Sequence, residues 1–265
     1  MFWKLVEGSV TIPSGSLNYI SFGKGQKNLI IIQGLNVRDI KGAGLSLAIM
    51  YKTFAKDYRV WFFDRRAVVH PGLTNWDLAD DIYHAMNELT IETADVFGVS
   101  QGGMIAMALT LKYPERVNKL VLAVTSSRAN ENIKKVVGKW ITCALKKDHI
   151  TINKETFSLM YTERYLKKYR LLMPILIRLI KPKDFQRFAT LASSILEFDC
   201  YDRLDEIKCP VLVLGGEHDM ITTSEASTEI AAKLNCKIHI YPEYGHAAYE
   251  EAKDFNQIIY EFLSK

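Results

Sequence analysis

The segment Ala94–Thr110, ADVFGVSQGGMIAMALT, constrains this chain more than any other stretch. The apolar-rich run ADVFGV reads as a short strand buried on both faces, because a strand with one wet face would alternate with polar residues. A serine set among glycines follows at once, and from about Gly102 to Tyr113 the pattern is helical, ended by Pro114. A strand that turns into a helix across one serine needs strained backbone angles. Its neighbours must be small, since a side chain there would collide with the returning chain. Gly98, Ser100 and Gly102 fit G-x-S-x-G, a common pattern that gains meaning only from a strand before it and a helix after it.

The rest of the chain supplies a frame for that turn. GSVTIP, LNYISFG and NLIIIQG read as strands bounded by Pro13, Gly15, Gly23 and Gly25, and YRVWFFD as a fourth. NWDLADDIYHAMNEL repeats apolar residues at helical steps, with Asn75 or Asp77 placed to cap it. Beyond the serine come the strands KLVLAV, PVLVLGG and KIHIYP, with helices near Ser224–Leu234 and Glu251–Phe262. Short apolar strands alternating with helices predict an α/β fold, a mostly parallel sheet covered on both faces. The alternation breaks once, over residues 128–198, where KKVVGKWITCALKK, FSLMYTERYLKKYRLLMPILIRLI and KDFQRFATLASSILEF read as helices without a strand. The expected organisation is a core of 1–127 and 199–265 with a helical insertion at 128–198.

Charge divides the chain along the same line. Residues 128–188 hold 15 Lys and Arg against 5 Asp and Glu, whereas the remainder holds 19 against 25. Such a patch reads first as a solvated helical face, and otherwise suits an anionic substrate or an anionic lipid surface. No aromatic stacking platform accompanies the charge, so nucleic acid is not expected as a partner. No apolar run is long enough for a membrane span, and Glu7 interrupts the N-terminal segment too early for a signal peptide. Cys143, Cys200, Cys209 and Cys236 lack metal-binding spacing. The chain is therefore expected to be cytoplasmic, with reduced thiols and no bound metal.

A serine hydroxyl is a weak nucleophile until a base takes its proton and a third group orients that base. Of the six histidines, His246 follows the last strand in a glycine-containing loop, whereas His84 and His239 lie inside a helix and a strand, and His149 lies in the insertion. Strand ends are where ligand chemistry collects in open α/β sheets. LGGEHDMIT after PVLVL offers Asp219, with Glu217 as the alternative. The order Ser100, Asp219, His246 matches the serine–acid–histidine order of one large family.

With IIIQGLN, FGVSQGG, LVLGGEHD and YGH in place, nearly the whole chain resembles the α/β-hydrolase superfamily. The resemblance implies a Ser100–His246–Asp219 triad acting through an acyl-enzyme. It also implies an oxyanion hole formed by the backbone N–H groups of Leu35 and Gln101, with Gly34, Gly98 and Gly102 supporting the turns. It calls for no cofactor. Two departures stand out. Gln33-Gly34-Leu35-Asn36 replaces the His-Gly-x-Pro of many relatives, and DRRAVVHPGLT lacks the glycines usual after the fourth strand. The insertion falls where relatives carry a cap, and LLMPILIRLI could lay an apolar helix over Ser100, with Pro174 setting its start or kinking it. The activity expected is cleavage of a small ester, thioester or related acyl compound. An aminopeptidase, a C–C-bond hydrolase, or a receptor or scaffold that retained the fold are the alternatives.

Overall fold

Residues 4–265 are described in a computed structural model. Eight strands form one sheet among them: β1 (Val6–Ile12), β2 (Gly15–Phe22), β3 (Lys27–Ile32), β4 (Tyr58–Phe63), β5 (Ala94–Val99), β6 (Val117–Ala123), β7 (Val211–Gly216) and β8 (Lys237–Tyr241). Their order is β1-β2-β4-β3-β5-β6-β7-β8. β1 and β2 run antiparallel to their neighbours, and all pairs from β4 to β8 are parallel. Every residue of β5 and β7 is buried, whereas edge strand β1 is mostly exposed. The continuous apolar runs in the sequence are therefore the central strands, as a sheet covered on both faces requires.

Residues alternate in which side of the sheet they serve. Ile30 and Ile32 pack with α2 (Asn75–Glu88), α3 (Gln101–Lys112) and α9 (Ser224–Leu234), whereas Leu29 and Ile31 pack with α1 (Gly44–Met50), α10 (Ala248–Glu251) and α11 (Phe255–Leu263). The single C-terminal helix expected from the sequence is thus two, parted at residues 252–254. The cap of α2 also differs from expectation. Thr74 is the N-cap, its hydroxyl accepting from Asp77 N while Asp77 accepts from Thr74 N. Asn75 and Asp77 lie inside the first turn, because the capping box needs the hydroxyl three residues before the carboxylate.

The chain crosses from one half of the sheet to the other beside β3, whose neighbours are β4 and β5. Ile32 pairs with Gly98, Gly98 with Leu122, and Gly216 with Tyr241. The loops after β3, β5, β6, β7 and β8 consequently leave the same edge. The crevice at such a switch point, outside the carboxyl ends of the strands, is where open α/β sheets bind ligands.

Between β6 and β7 lie α4 (Glu131–Leu145), α5 (His149–Met160), α6 (Glu163–Lys168), α7 (Met173–Leu179) and α8 (Phe185–Leu196). Side chains of Asn130, Asp148, Thr162 and Asp184 accept a backbone N–H at the starts of α4, α5, α6 and α8. α4 buries Ile133, Val137, Trp140 and Ala144 at helical spacing, and α8 buries Phe188, Leu191, Ala192 and Ile195. Pro174 lies in the first turn of α7 and sets its start rather than kinking a longer helix.

The expectation that LLMPILIRLI roofs the serine is overturned. Met173 is the one buried residue of α7. Asn153 on α5 donates to the carbonyls of Ile177 and Ile180, so α7 docks by its backbone and the 173/177/180 face. The roof is formed instead by α4, α5 and α8, and of the LLMPILIRLI run Ile180 alone lines the cavity.

Candidate active site

Ser100 occupies the turn between β5 and α3 with φ 54° and ψ −123°. A non-glycine residue with positive φ is strained, and this one is over-determined by its surroundings. Ser100 N donates to Ala123 O at 2.9 Å, and Ser100 O accepts from Thr125 Oγ1 at 2.7 Å and from Gly103 N at 2.8 Å. The glycines are required by approach rather than by their own angles. A Cβ on Gly98 would stand 2.4 Å from Gly102 O, and one on Gly102 would stand 1.9 Å from Ile32 O.

The structure brings Ser100, His246 and Asp219 together from three loops. Ser100 Oγ lies 3.0 Å from His246 Nε2, and His246 Nδ1 lies 2.8 Å from Asp219 Oδ2. Asp219 and His246 are both buried. Burial pushes the Asp219 carboxyl pKa upward, but the adjacent His246 and hydrogen bonds from His246, Thr222 and Ile221 outweigh it, leaving the net pKa below the usual value. Thr222 contributes twice, from its N–H at 3.0 Å and its hydroxyl at 2.7 Å. Glu217, the alternative acid, is exposed. The His246 loop is held to the insertion, since Ala247 N donates to Met160 O at 2.9 Å.

Leu35 and Gln101 flank the serine on the cavity wall. Gln101 opens α3, so its N–H has no acceptor within the helix and adds to the positive end of the helix dipole. Gly34 passes so close that a Cβ there would sit 3.1 Å from Ser100 Cβ. Both departures from the common family motifs find structural partners. Asn36 Nδ2 donates to Gln33 Oε1 at 3.0 Å, stiffening the loop from within. Arg65 Nη2 donates to Gln33 O at 2.5 Å, and Arg187 on α8 donates to the carbonyls of Arg65 and Arg66. Arg66 forms a two-pronged ion pair with Asp81. Arginine contacts thus hold a loop that lacks the glycines usual at this place.

Sequence reasoning missed Arg65, Arg187 and Thr222. It also left the Gln101 side chain unassigned. That side chain is almost fully buried, and its Nε2 donates to Leu191 O at 2.8 Å and Ser194 Oγ at 3.0 Å. It ties the serine turn to α8. The readable signal was local only for Thr222, a hydroxyl three residues beyond a strand-end aspartate.

Above the serine lies a cavity of about 330 Å³, lined by Val137, Trp140, Ile152, Phe157, Phe188 and Ile195 among others. Its polar groups include Ser100, His246, Asn153 and the Glu250–Tyr161 pair, in which Tyr161 Oη donates at 2.7 Å. A mostly apolar concavity with a few convergent polar groups is the usual form of a small-molecule site. Among the described residues, no three His, Cys, Asp or Glu side chains are grouped to hold a metal ion. The four cysteines are free thiols, and among the described residues no helix is long and apolar enough to cross a membrane.

A family model for the alpha/beta hydrolase fold matches residues 28–253. A 2-hydroxy-6-oxononadienedioate/2-hydroxy-6-oxononatrienedioate hydrolase of Paraburkholderia phymatum is 28% identical over 271 residues, covering 94% of this chain and 91% of the relative. Among solved structures, the enol-lactonase of Burkholderia xenovorans LB400 superposes with a TM-score of 0.85 at 20% identity, covering 97% of this chain and 100% of its own. A thermophilic esterase of Thermogutta terrifontis gives 0.81 at 21% identity, covering 98% of each chain. At those identities the solved structures speak for the fold, and the family match covers most of the sequence. The chain belongs to the α/β-hydrolase superfamily.

Proposed function

We propose that this protein is a serine hydrolase that cleaves a small, largely apolar acyl compound under a helical cap formed by α4–α8. The observation that carries the reading is the continuous relay from Ser100 Oγ through His246 to Asp219, on a strained turn beneath an apolar cavity.

On this reading Ser100 Oγ attacks the acyl carbon while His246 Nε2 takes its proton. Asp219 holds the imidazole by Nδ1 and stabilises the imidazolium. The oxygen that becomes negative is met on this reading by the backbone N–H groups of Leu35 and Gln101, both on the cavity wall beside Ser100. His246 then returns the proton to the leaving group, and the acyl group stays on Ser100. Water, deprotonated by the same histidine, attacks this ester, releases the acid and restores Ser100. The aliphatic and aromatic lining of the cavity favours an apolar acyl chain, and helices over the serine limit its access to water.

Hydrolysis of a C–C bond in a keto acid is a second reading, favoured by the name of the Paraburkholderia phymatum relative and its near full-length match. Labelling by a fluorophosphonate probe, with Ser100→Ala as control, tests the nucleophile. Folded wild-type protein that stays unlabelled would refute it. A panel of esters, thioesters, peptides and ring-fission keto acids of matched size separates the two readings by kcat/KM.

A further inference from the structure

Residues 163–183 cross the outside of the insertion and carry seven Lys and Arg against one acid. Two cations are paired, Lys167 with Glu163 and Lys183 with Asp39. Lys168, Arg170, Arg178 and Lys181 are exposed, and none of them has an acid within ion-pair distance among the described residues.

The aliphatic residues between these charges form two stripes at helical spacing. Met173, Ile177 and Ile180 face the protein and are buried or half-buried. Leu172, Ile175, Leu176 and Leu179 follow the same i, i+3, i+4, i+7 spacing on the other side, and with Leu171 they are 37% to 81% exposed. A short helix that is apolar on both faces has only half its hydrophobic surface covered by its own chain. Contiguous patches of that kind mark contact surfaces. Tyr165 and Tyr169 stand beside the patch half-buried, amphipathic rings of the type that settle at headgroup depth.

We infer that α6 and α7 dock on an anionic lipid bilayer. The 172/175/176/179 stripe enters the acyl boundary, and Lys168, Arg170, Arg178 and Lys181 meet the headgroups. Charge selects this occupant. A second copy offering the same face would bring two strongly cationic segments together, whereas an anionic bilayer neutralises them. The docked segment borders the cavity above Ser100 through Ile180, which lines its wall. The inference does not depend on the chemistry proposed for Ser100, because adsorption is measured without turnover.

Co-sedimentation with phosphatidylcholine vesicles, with and without a third of phosphatidylglycerol, tests it. The wild-type protein is expected to partition at least about tenfold more strongly onto the anionic vesicles, since each basic residue at such a surface strengthens binding roughly fivefold. High salt should weaken the interaction. Ile175→Glu/Leu179→Glu should reduce binding at least about tenfold with an unchanged thermal transition, as both side chains are exposed. Lys168→Glu/Arg170→Glu, which leaves the aliphatic stripe intact, should remove much of the salt-sensitive part. Absence of enrichment on anionic vesicles would overturn the inference. So would undiminished binding by both variants, or self-association in solution that Ile175→Glu/Leu179→Glu abolishes while wild-type protein ignores vesicles.

Discussion

Gly102→Ala sets two physical effects against each other. In the first turn of a helix, alanine is favoured over glycine by about 1 kcal/mol, so propensity alone predicts a more stable protein. The tertiary structure predicts the reverse. The added methyl would stand 1.9 Å from Ile32 O and 2.6 Å from Gln33 O, and both are backbone atoms that cannot rotate away. Ordinary contact requires α3 and the end of β3 to part by about 1.5 Å, in an interior packed as densely as an organic crystal. Overpacking of this kind costs about 1–3 kcal/mol. The displacement falls between Ser100 and the Leu35 loop, where a shift of about 1 Å costs roughly a hundredfold in rate. The expected result is a lowered Tm and a fall of about a hundredfold or more in the second-order rate of fluorophosphonate labelling. Gly138→Ala is the control, because nothing lies within 4 Å of its added Cβ in the middle of α4. It should raise stability by about 0.5–1 kcal/mol and leave labelling unchanged. A Gly102→Ala protein with a raised Tm and wild-type labelling would refute the steric account of the turn.

Asp219→Asn should lower kcat by roughly 10⁴-fold, because the amide holds the wrong tautomer of His246. Its stability deficit should depend on pH. The Asp219 carboxyl pKa is lowered on folding, so its contribution is complete above the unfolded value of about 3.9 and is lost as pH falls through the lower folded value. Denaturant titrations of both proteins should therefore show a constant difference from neutrality to about pH 5 and a shrinking one in stronger acid. Arg65→Met removes the donor to Gln33 O and should lower kcat about tenfold with little change in KM, while Arg65→Lys recovers part of the loss. Burial pushes the Cys200 thiol up to about 12 and those of Cys209 and Cys236 up to about 11. Thiol reagents at neutral pH should modify these three slowly in the native protein and rapidly after unfolding.

Much of the frame is legible along the chain because its causes are local. Central strands are continuous apolar runs, the turn at Ser100 demands small neighbours, and histidines and acids at strand ends are few. The α/β class, the strand list and the choice of Ser100, Asp219 and His246 rest on such signals. Expectation and structure part where one residue serves two neighbours. Thr74 caps α2 only because Asp77 returns the bond, and the C-terminal helix breaks at residues 252–254, which its apolar periodicity did not mark. The LLMPILIRLI run shows the limit most clearly. Its composition marks it as hydrophobic, but whether an apolar face meets the cavity or the outside depends on which partners have already filled the space.

The sequence by itself determined the layered sheet and the kind of groups that meet at its carboxyl edge, because periodicity and steric need act over a few residues. Tertiary structure alone decided the supports of that edge. Arg65 reaches Gln33 from 32 positions away, and Gln101 reaches Ser194 from 93. Such pairs leave no trace in local pattern, since a hydrogen bond is specified by position in space and the chain between its ends can run by many routes.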